Sequence, residues 1–477
     1  MLKVHKTILI LSALIVTYSC NTNDTAVNSY SVSYNGNGNT SGEAPIDSNS
    51  YKEGDSVIVK EPTGLLHTGY LFSSWNTNAN GKGTNYVAGS SLQIQDSNVT
   101  LYAKWTSTGS NTQNTDPDPR IAITITTKNG GDVTLTKAPL LYDKQHILTM
   151  ETDDALNDPY KTFLPLFTGG IPEHDTVASP GLYITDGCTN DVSYKSNSTA
   201  WVIAPVNQTD WFAWSNGEHW LNYAQLDTLI ANGFGLVSHG YYTDMTHPSV
   251  NVVTAVNNYV TWAETRYGFR PLYAVKPGGQ TFDDQAWKNA WFEKGLRFIS
   301  MGSGAAASMT RVDDINISTF TEALQIGRRL VEESSAATVM GYVNTMIASP
   351  GNQWLRLFGH NVNVDDFVRY ADIKEFFTQL NTLYGKPGND SIWVANINDV
   401  ISYLYCRDTI TTESVKEGNK TTFYINQDQI PSYLTKRLIT FKINTTDQIT
   451  DIRVSDNTNA SMCNSLVNVI WQTEATQ

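Results

Sequence analysis

The 477-residue chain is sparing with cysteine and with cationic residues, and each shortage narrows what it can be. Only Cys20, Cys188, Cys406 and Cys463 occur, and none stand in a Cys-x-x-Cys spacing. That argues against thiolate zinc sites, whose ligands come in such pairs. Lys and Arg total 32 against 46 Asp and Glu, a net charge of -14 with no basic block. Nucleic acid and anionic membrane are therefore poor partners. Beyond the first twenty residues no apolar run is long enough to span a bilayer. Histidine is also scarce, eight in all, so where each one falls carries information.

The N-terminus carries an address. Lys3 and Lys6 precede an apolar run over 8–16, followed by Thr17-Tyr18-Ser19-Cys20 and then polar residues. This is the layout of a secretory signal peptide over 1–20. A small residue before Cys20 resembles a bacterial lipoprotein site, although Thr17 stands where Leu is usual. The resemblance implies a cell-envelope lipoprotein, at the outer membrane or cell surface, anchored by lipid on Cys20. Ordinary secretion is the alternative. Of the three cysteines left, the expected disulfide is Cys406 with Cys463, with the third thiol unpaired.

Organisation follows from composition shifts. Residues 28–106 carry short alternating strands separated by Gly/Asn turns. Residues 107–119 are Ser, Thr, Asn, Pro and Asp with nothing to bury, a linker. From 120 to 407 strands alternate with helices, which implies parallel strands wrapped by helices. Strands are expected at 147–150, 235–237, 272–275, 298–301, 354–358 and 392–394. Helices are expected at 225–232, 253–267, 283–294, 364–383 and 397–405. Residues 408–477 read as a small β appendage packed on what precedes it. The fold class is thus multidomain: an α/β distorted (β/α) barrel, an N-terminal small β unit and a C-terminal β appendage.

In such a barrel the chemistry sits at the carboxyl ends of the strands. Taken in order, these ends carry Asp153-Asp154, Ser238-His239-Gly240 with His247 following, Lys276-Pro277-Gly278-Gly279-Gln280, and His360. Adjacent carboxylates repel one another, and the pair makes sense if one holds a cation while the other moves a proton. Asp153-Asp154 as a helix cap is the plainer alternative. One carboxylate and two imidazoles leave coordination positions open on a metal, and a further carboxylate and imidazole supply base and acid. That inventory suits hydrolysis of an amide or ester.

Two resemblances sharpen this reading. The strings Thr68-Gly69-Tyr70-Leu71-Phe72-Ser73-Ser74-Trp75-Asn76 and Leu101-Tyr102-Ala103-Lys104-Trp105 resemble the Listeria–Bacteroides, or internalin B-type, repeat. It implies a β-grasp-like surface spacer or adhesive module, with Tyr70, Phe72, Trp75 and Trp105 as core. Over about 140–406 the order Asp-Asp, Ser-His…His-Pro, Pro-Gly-Gly and Gly-His resembles the polysaccharide deacetylases of the NodB-homology, or carbohydrate esterase family 4, group. That resemblance implies removal of acetyl groups from N- or O-acetylated glycans with a divalent metal, zinc being the first choice. By position, Asp153 becomes the general base, Asp154, His239 and His247 the metal ligands, and His360 the acid.

The chain also departs from that pattern. Ala155 stands where the family commonly has Gly, and the two ligand histidines are spaced His-x7-His, with Asp244 as a substitute ligand. No Arg adjoins the Pro-Gly motif; Lys276 is closest and Arg270 lies earlier. No counterpart of the family's Asp/Trp motif is evident. Arg328-Arg329 reads as a solvated helix face, and His67, His146 and His174 as structural. Trp211-Phe212-Ala213-Trp214 and Glu218-His219-Trp220 fit either a sugar subsite or loop packing. The expected partners are an acetylated glycan and a surface partner of the repeat, with membrane contact only through Cys20. Rival readings are an inactive scaffold serving adhesion or glycan binding, an amidase acting on a non-sugar substrate and, more remotely, an iron oxygenase.

Overall fold

The computed structural model describes residues 28–60, 62, 65, 67, 70–86, 90–107, 120–188, 190–204, 209–278, 283–301, 308–362, 369–455 and 458–473. The expected signal peptide with Cys20, all but the first residue of the linker, and Gly279-Gln280 lie outside these residues. Among the described residues no helix is long and apolar enough to cross a membrane.

The central element is a curled sheet built mostly of parallel strands. In chain order they are β1 (His146–Thr152), β2 (Asn197–Ala200), β3 (Gly235–Ser238), β4 (Tyr273–Val275), β5 (Phe298–Ser300), β6 (Met309–Arg311), β7 (Leu324–Gln325), β8 (Arg329–Leu330), β9 (Gln353–Gly359) and β10 (Ile392–Val394). The order across the sheet is β6-β9-β1-β2-β3-β4-β5-β7, with β8 on β9 and β10 on β1. β1 pairs with β9 along its whole length, while its other edge is shared between β10 at the start and β2 at the end. The chain over 324–330 lies first on β5 and then on β9. β1 and β9 are buried at every position, as strands covered on both faces must be.

The helices α1 (Tyr223–Ala231), α2 (Val252–Tyr267), α3 (Asp284–Glu293), α4 (Ala336–Ala348), α5 (Tyr370–Tyr384) and α6 (Ile397–Thr409) alternate with these strands. Five of the six open on a side-chain cap, from Asn222, Asn251, Asp283, Ser335 and Asn396. At α1 the cap is reciprocal, with Gln225 reaching back to the Asn222 backbone. Five helices and the six main strands lie where the sequence placed them, with ends shifted slightly; residues 364–368 of the expected 364–383 helix lie outside the described residues. α4 is the addition: its Thr, Val and Gly content hides the helical period.

Two further four-stranded sheets draw on both ends of this region. Ile121–Thr127 sits between Lys420–Asn426 and Ile449–Val454, and Thr134–Lys137 pairs with Lys436–Asn444. These two strands, assigned from sequence to the barrel segment, thus hydrogen-bond with the C-terminal β unit. Ile123, Phe441 and Val469 belong to the same continuous core as Leu148 and Leu357. A disulfide joins Cys188 to Cys463 and ties a loop beyond β1 to this unit. The expected Cys406–Cys463 pair is therefore corrected. Cys406 lies within α6, fully buried, with its thiol pushed up to about 12 by burial.

The N-terminal unit has its own core around the fully buried Trp75, whose indole N–H donates to the Lys60 carbonyl at 2.9 Å. Phe72 and Trp105 pack on this core, as expected; the Tyr70 side chain lies outside the described set. The unit touches α1, where the Asn232 amide donates to the Ser73 carbonyl at 2.6 Å.

Candidate active site

The alternation of β1 decides the first half of the site. Side chains two apart share a face of a strand, so Glu151 and Asp153 point the same way. Both meet Arg328, which follows β7. Its guanidinium forks onto Asp153 with contacts of 2.7 and 2.9 Å and reaches Glu151 at 3.0 Å. All three groups are buried. Arg328 is thus no solvated helix residue, and this corrects the expectation: an exposed position cannot satisfy two buried carboxylates. Burial pushes Asp153 up, but Arg328 above all, with His239 and His360, holds it down at about 2. Burial raises Glu151 to about 7, with Arg328 offsetting only part.

At Asp154 the chain leaves the strand by a turn in the left-handed region. Asp154 and Ala155 have φ of 67° and 54°, which costs a residue with a Cβ about 1–2 kcal/mol each. The turn is held by Asp153 N–H to the Gly359 carbonyl and Ala155 N–H to the Thr199 carbonyl, both 3.0 Å. Its effect is to swing Asp154 away from Arg328 and toward the ends of β3 and β9. Such strain is kept where a site needs it.

There Asp154 meets two imidazoles. His239 follows β3, and its Nε2 lies 3.3 Å from Asp154 Oδ1. His360 follows β9, and its Nε2 lies 3.7 Å from Asp154 Oδ2. The other nitrogen of each ring is committed elsewhere. His239 Nδ1 lies 3.2 Å from the Val275 carbonyl, and the ring is stacked on Trp201. A carbonyl can only accept, so His239 Nδ1 donates to it and Nε2 is the ring nitrogen that faces Asp154. His360 Nδ1 is bonded to Glu332, which also accepts from the His360 backbone N–H at 2.9 Å. Burial lowers the His360 pKa, but the Glu332 bond and the charges of Asp153 and Asp154 outweigh it, so the net shift is upward.

Not every expected residue joins them. His247 sits in the loop after β3, where its Nδ1 bonds the Ser249 hydroxyl at 2.7 Å. Among the described residues, no group of three or more His, Cys, Asp or Glu side chains is arranged to hold a metal. Asp244 accepts from Thr246 within its own loop. Lys276 pairs with Asp284, and Arg270 with Glu264. Arg328 and Glu332, which the sequence reading did not select, flank the two-residue strand β8, too short to announce itself by periodicity. The available signal was the spacing of charges around Leu330 and Val331 in a β-prone stretch.

Residues 30–104 match the family model described as the Listeria-Bacteroides repeat domain. Two proteins of Evansella cellulosilytica are similar over short stretches. One, provisionally named a Gly-rich membrane protein, is 36% identical over 80 residues, 17% of this chain and 9% of that protein. The other, provisionally named a membrane protein, is 34% identical over 82 residues, 17% of this chain and 12% of that protein. The chain therefore spans only a small part of the length of these relatives. A crystal structure from Mycobacterium smegmatis, provisionally named a polysaccharide deacetylase, aligns with 55% of this chain and 92% of its own. Its identity is 13% and its TM-score 0.29, so the functional reading is left to the side chains.

Proposed function

We propose that this chain is a metal-dependent hydrolase that removes acetyl groups from N- or O-acetylated polysaccharide at the cell envelope, on a curled sheet that acts as a distorted (β/α) barrel. The observation that carries the reading is the meeting of Asp154 Oδ1 with His239 Nε2 at 3.3 Å, with His239 Nδ1 held by the Val275 carbonyl. A carboxylate and an imidazole nitrogen at that distance share either a proton or a cation. A carboxylate and a neutral imidazole oriented by a carbonyl behind it are a donor set that suits zinc. Asp154 and His239 would hold a divalent ion, and His247, bonded to Ser249 in its own loop, is the third ligand that the family resemblance implies. When bound, the ion would polarise the acetyl carbonyl and acidify a water.

The chain's own groups then divide the proton work. Asp153 stays ionised because Arg328 holds it so, and a carboxylate lone pair outside the fork accepts the proton of the attacking water. Glu332 and the nearby carboxylates raise the His360 pKa, which supports His360 Nε2 as the acid for the departing amine or alcohol. Two titratable groups with pKa values pushed apart are the usual mark of an acid–base pair. Lipid attachment through Cys20 would hold the enzyme at the envelope, with the repeat as a surface spacer. The position of His247 favours one rival, an inactive scaffold serving adhesion. Acetate release from acetylated xylan and chitin oligomers by wild type, and not by Asp154→Ala, supports the enzyme; glycan binding without acetate release or metal uptake supports the scaffold.

A further inference from the structure

Eight of the chain's twelve tryptophans make two contrasting sets of four. Trp75, Trp287, Trp291 and Trp354 are fully buried, as packing residues should be. Trp201, Trp211, Trp214 and Trp220 are not, and they adjoin one another beside the candidate site. Trp201 lies parallel to the His239 imidazole, 5.5 Å away at 10°. Trp211 is 6.4 Å from Trp201 and 5.2 Å from both Trp214 and Trp220. Trp214 ends the series at 59% exposed.

The local structure builds this row deliberately. Trp211–Trp214 is one helical turn whose first N–H groups are capped by Asp210. Positions three apart share a helix face, so Trp211 and Trp214 stand together. Phe212 turns the other way, fully buried and stacked on Trp262 at 5.6 Å. Trp220 is fixed to the strained turn itself, through a β-bridge to Leu156, two residues after Asp154. The Ser215 hydroxyl donates to the Trp220 carbonyl at 2.5 Å. The indole N–H groups of Trp201 and Trp211 are shielded from solvent and have no acceptor among the described residues.

We infer that these four tryptophans form a stacking platform for a neutral oligosaccharide chain, leading from His239 outward to solvent. This rests on the deacetylase reading for its starting point and adds which side chains hold the sugars beyond the one being deacetylated. Indole faces suit the apolar faces of sugar rings, and Trp214 presents its ring to solvent at the outer end. Single-stranded nucleic acid also stacks on aromatics but needs a basic groove. The net charge of -14 and the exposed Glu218 and acidic Asp210 beside the row oppose it.

The test uses the full chain carrying Asp154→Asn, so that nothing is hydrolysed, with chitohexaose, acetylated xylan and acetylated mannan as probes. Binding is followed by tryptophan fluorescence and by calorimetry. The platform predicts binding that tightens with oligomer length, loss of about tenfold in affinity for Trp214→Ala, about 1.4 kcal/mol, and recovery of most of it in Trp214→Phe. Unchanged circular dichroism excludes misfolding as the cause. Equal affinity of Trp214→Ala and its parent for every bound probe, or no binding of any probe, overturns the platform. Length-dependent binding that Trp214→Ala weakens, in a wild type that releases no acetate, overturns the deacetylase reading and leaves the platform standing.

Discussion

Replacing Arg328 with methionine keeps most of the side-chain volume and removes the guanidinium that forks onto Asp153 and reaches Glu151. Both carboxylates stay buried, and breaking a buried ion pair from one side costs about 3–5 kcal/mol. At about 2–4 °C per kcal/mol for a large domain, the unfolding midpoint should fall by about 6–20 °C at pH 7. The pH dependence is the sharper test. In the wild type Asp153 is held below its unfolded pKa, so its contribution is full above about 3.9 and lost as pH falls toward 2. Glu151 is raised to about 7, so the cost of ionising it is absent below about 4.3 and complete above 7. Without Arg328, burial of Asp153 is opposed only by His239 and His360, and its folded pKa moves up, as does that of Glu151. The variant should then lose stability as pH rises from 4 to 7, while the wild type keeps the Asp153 contribution across that range. Thermal unfolding followed by tryptophan fluorescence at pH 4 and pH 7 reads this directly. A midpoint deficit of equal size at both pH values would refute the electrostatic account, and a deficit below 2 °C at pH 7 would refute the burial argument.

Further expectations follow from the same contacts. Glu332→Gln keeps a hydrogen bond to His360 but removes the charge that raises its pKa, so the alkaline limb of the rate profile should move to lower pH; an unmoved limb would assign Glu332 a packing role only. His239→Ala should reduce zinc affinity at least tenfold by calorimetry, and equal affinity would remove His239 from the metal site. Reduction of Cys188–Cys463, which are 275 residues apart, should cost about 2–5 kcal/mol by loop-entropy reasoning, seen as a lower unfolding midpoint in reductant. Cys406 should resist thiol reagents until the protein unfolds, since its thiol is buried and its pKa is about 12; rapid labelling of the native protein would contradict the burial.

What could be read from the sequence follows the strength of each local signal. β1, β3 and β9 were legible because each is an apolar run ending sharply in a polar group, and parallel strands must end that way. For the same reason Asp153, Asp154, His239 and His360 could be named as residues at strand ends. Arg328 and Glu332 were not, because β8 is two residues long and its meaning depends on pairing with β9, a non-local fact. The strands at 121–127 and 134–137 are not among those expected from sequence, and the barrel segment was begun at 120, since chain order favours neighbours and these strands pair with others hundreds of residues later. The disulfide failed for the same reason: Cys406 sits inside α6 with its side chain in the core, and no sequence spacing reveals that.

The central claim is that Asp154 and His239, with Asp153 and His360 beside them, form a metal-dependent hydrolytic centre for acetylated glycans. The most direct test is acetate release from acetylated xylan and chitin oligomers by the zinc-loaded full chain, beside Asp154→Ala and His239→Ala. The account predicts acetate from the wild type, abolished by chelation and restored by zinc, and none from either variant. Acetate release that survives both substitutions, or a wild type that takes up zinc and releases none from any acetylated glycan, would contradict it.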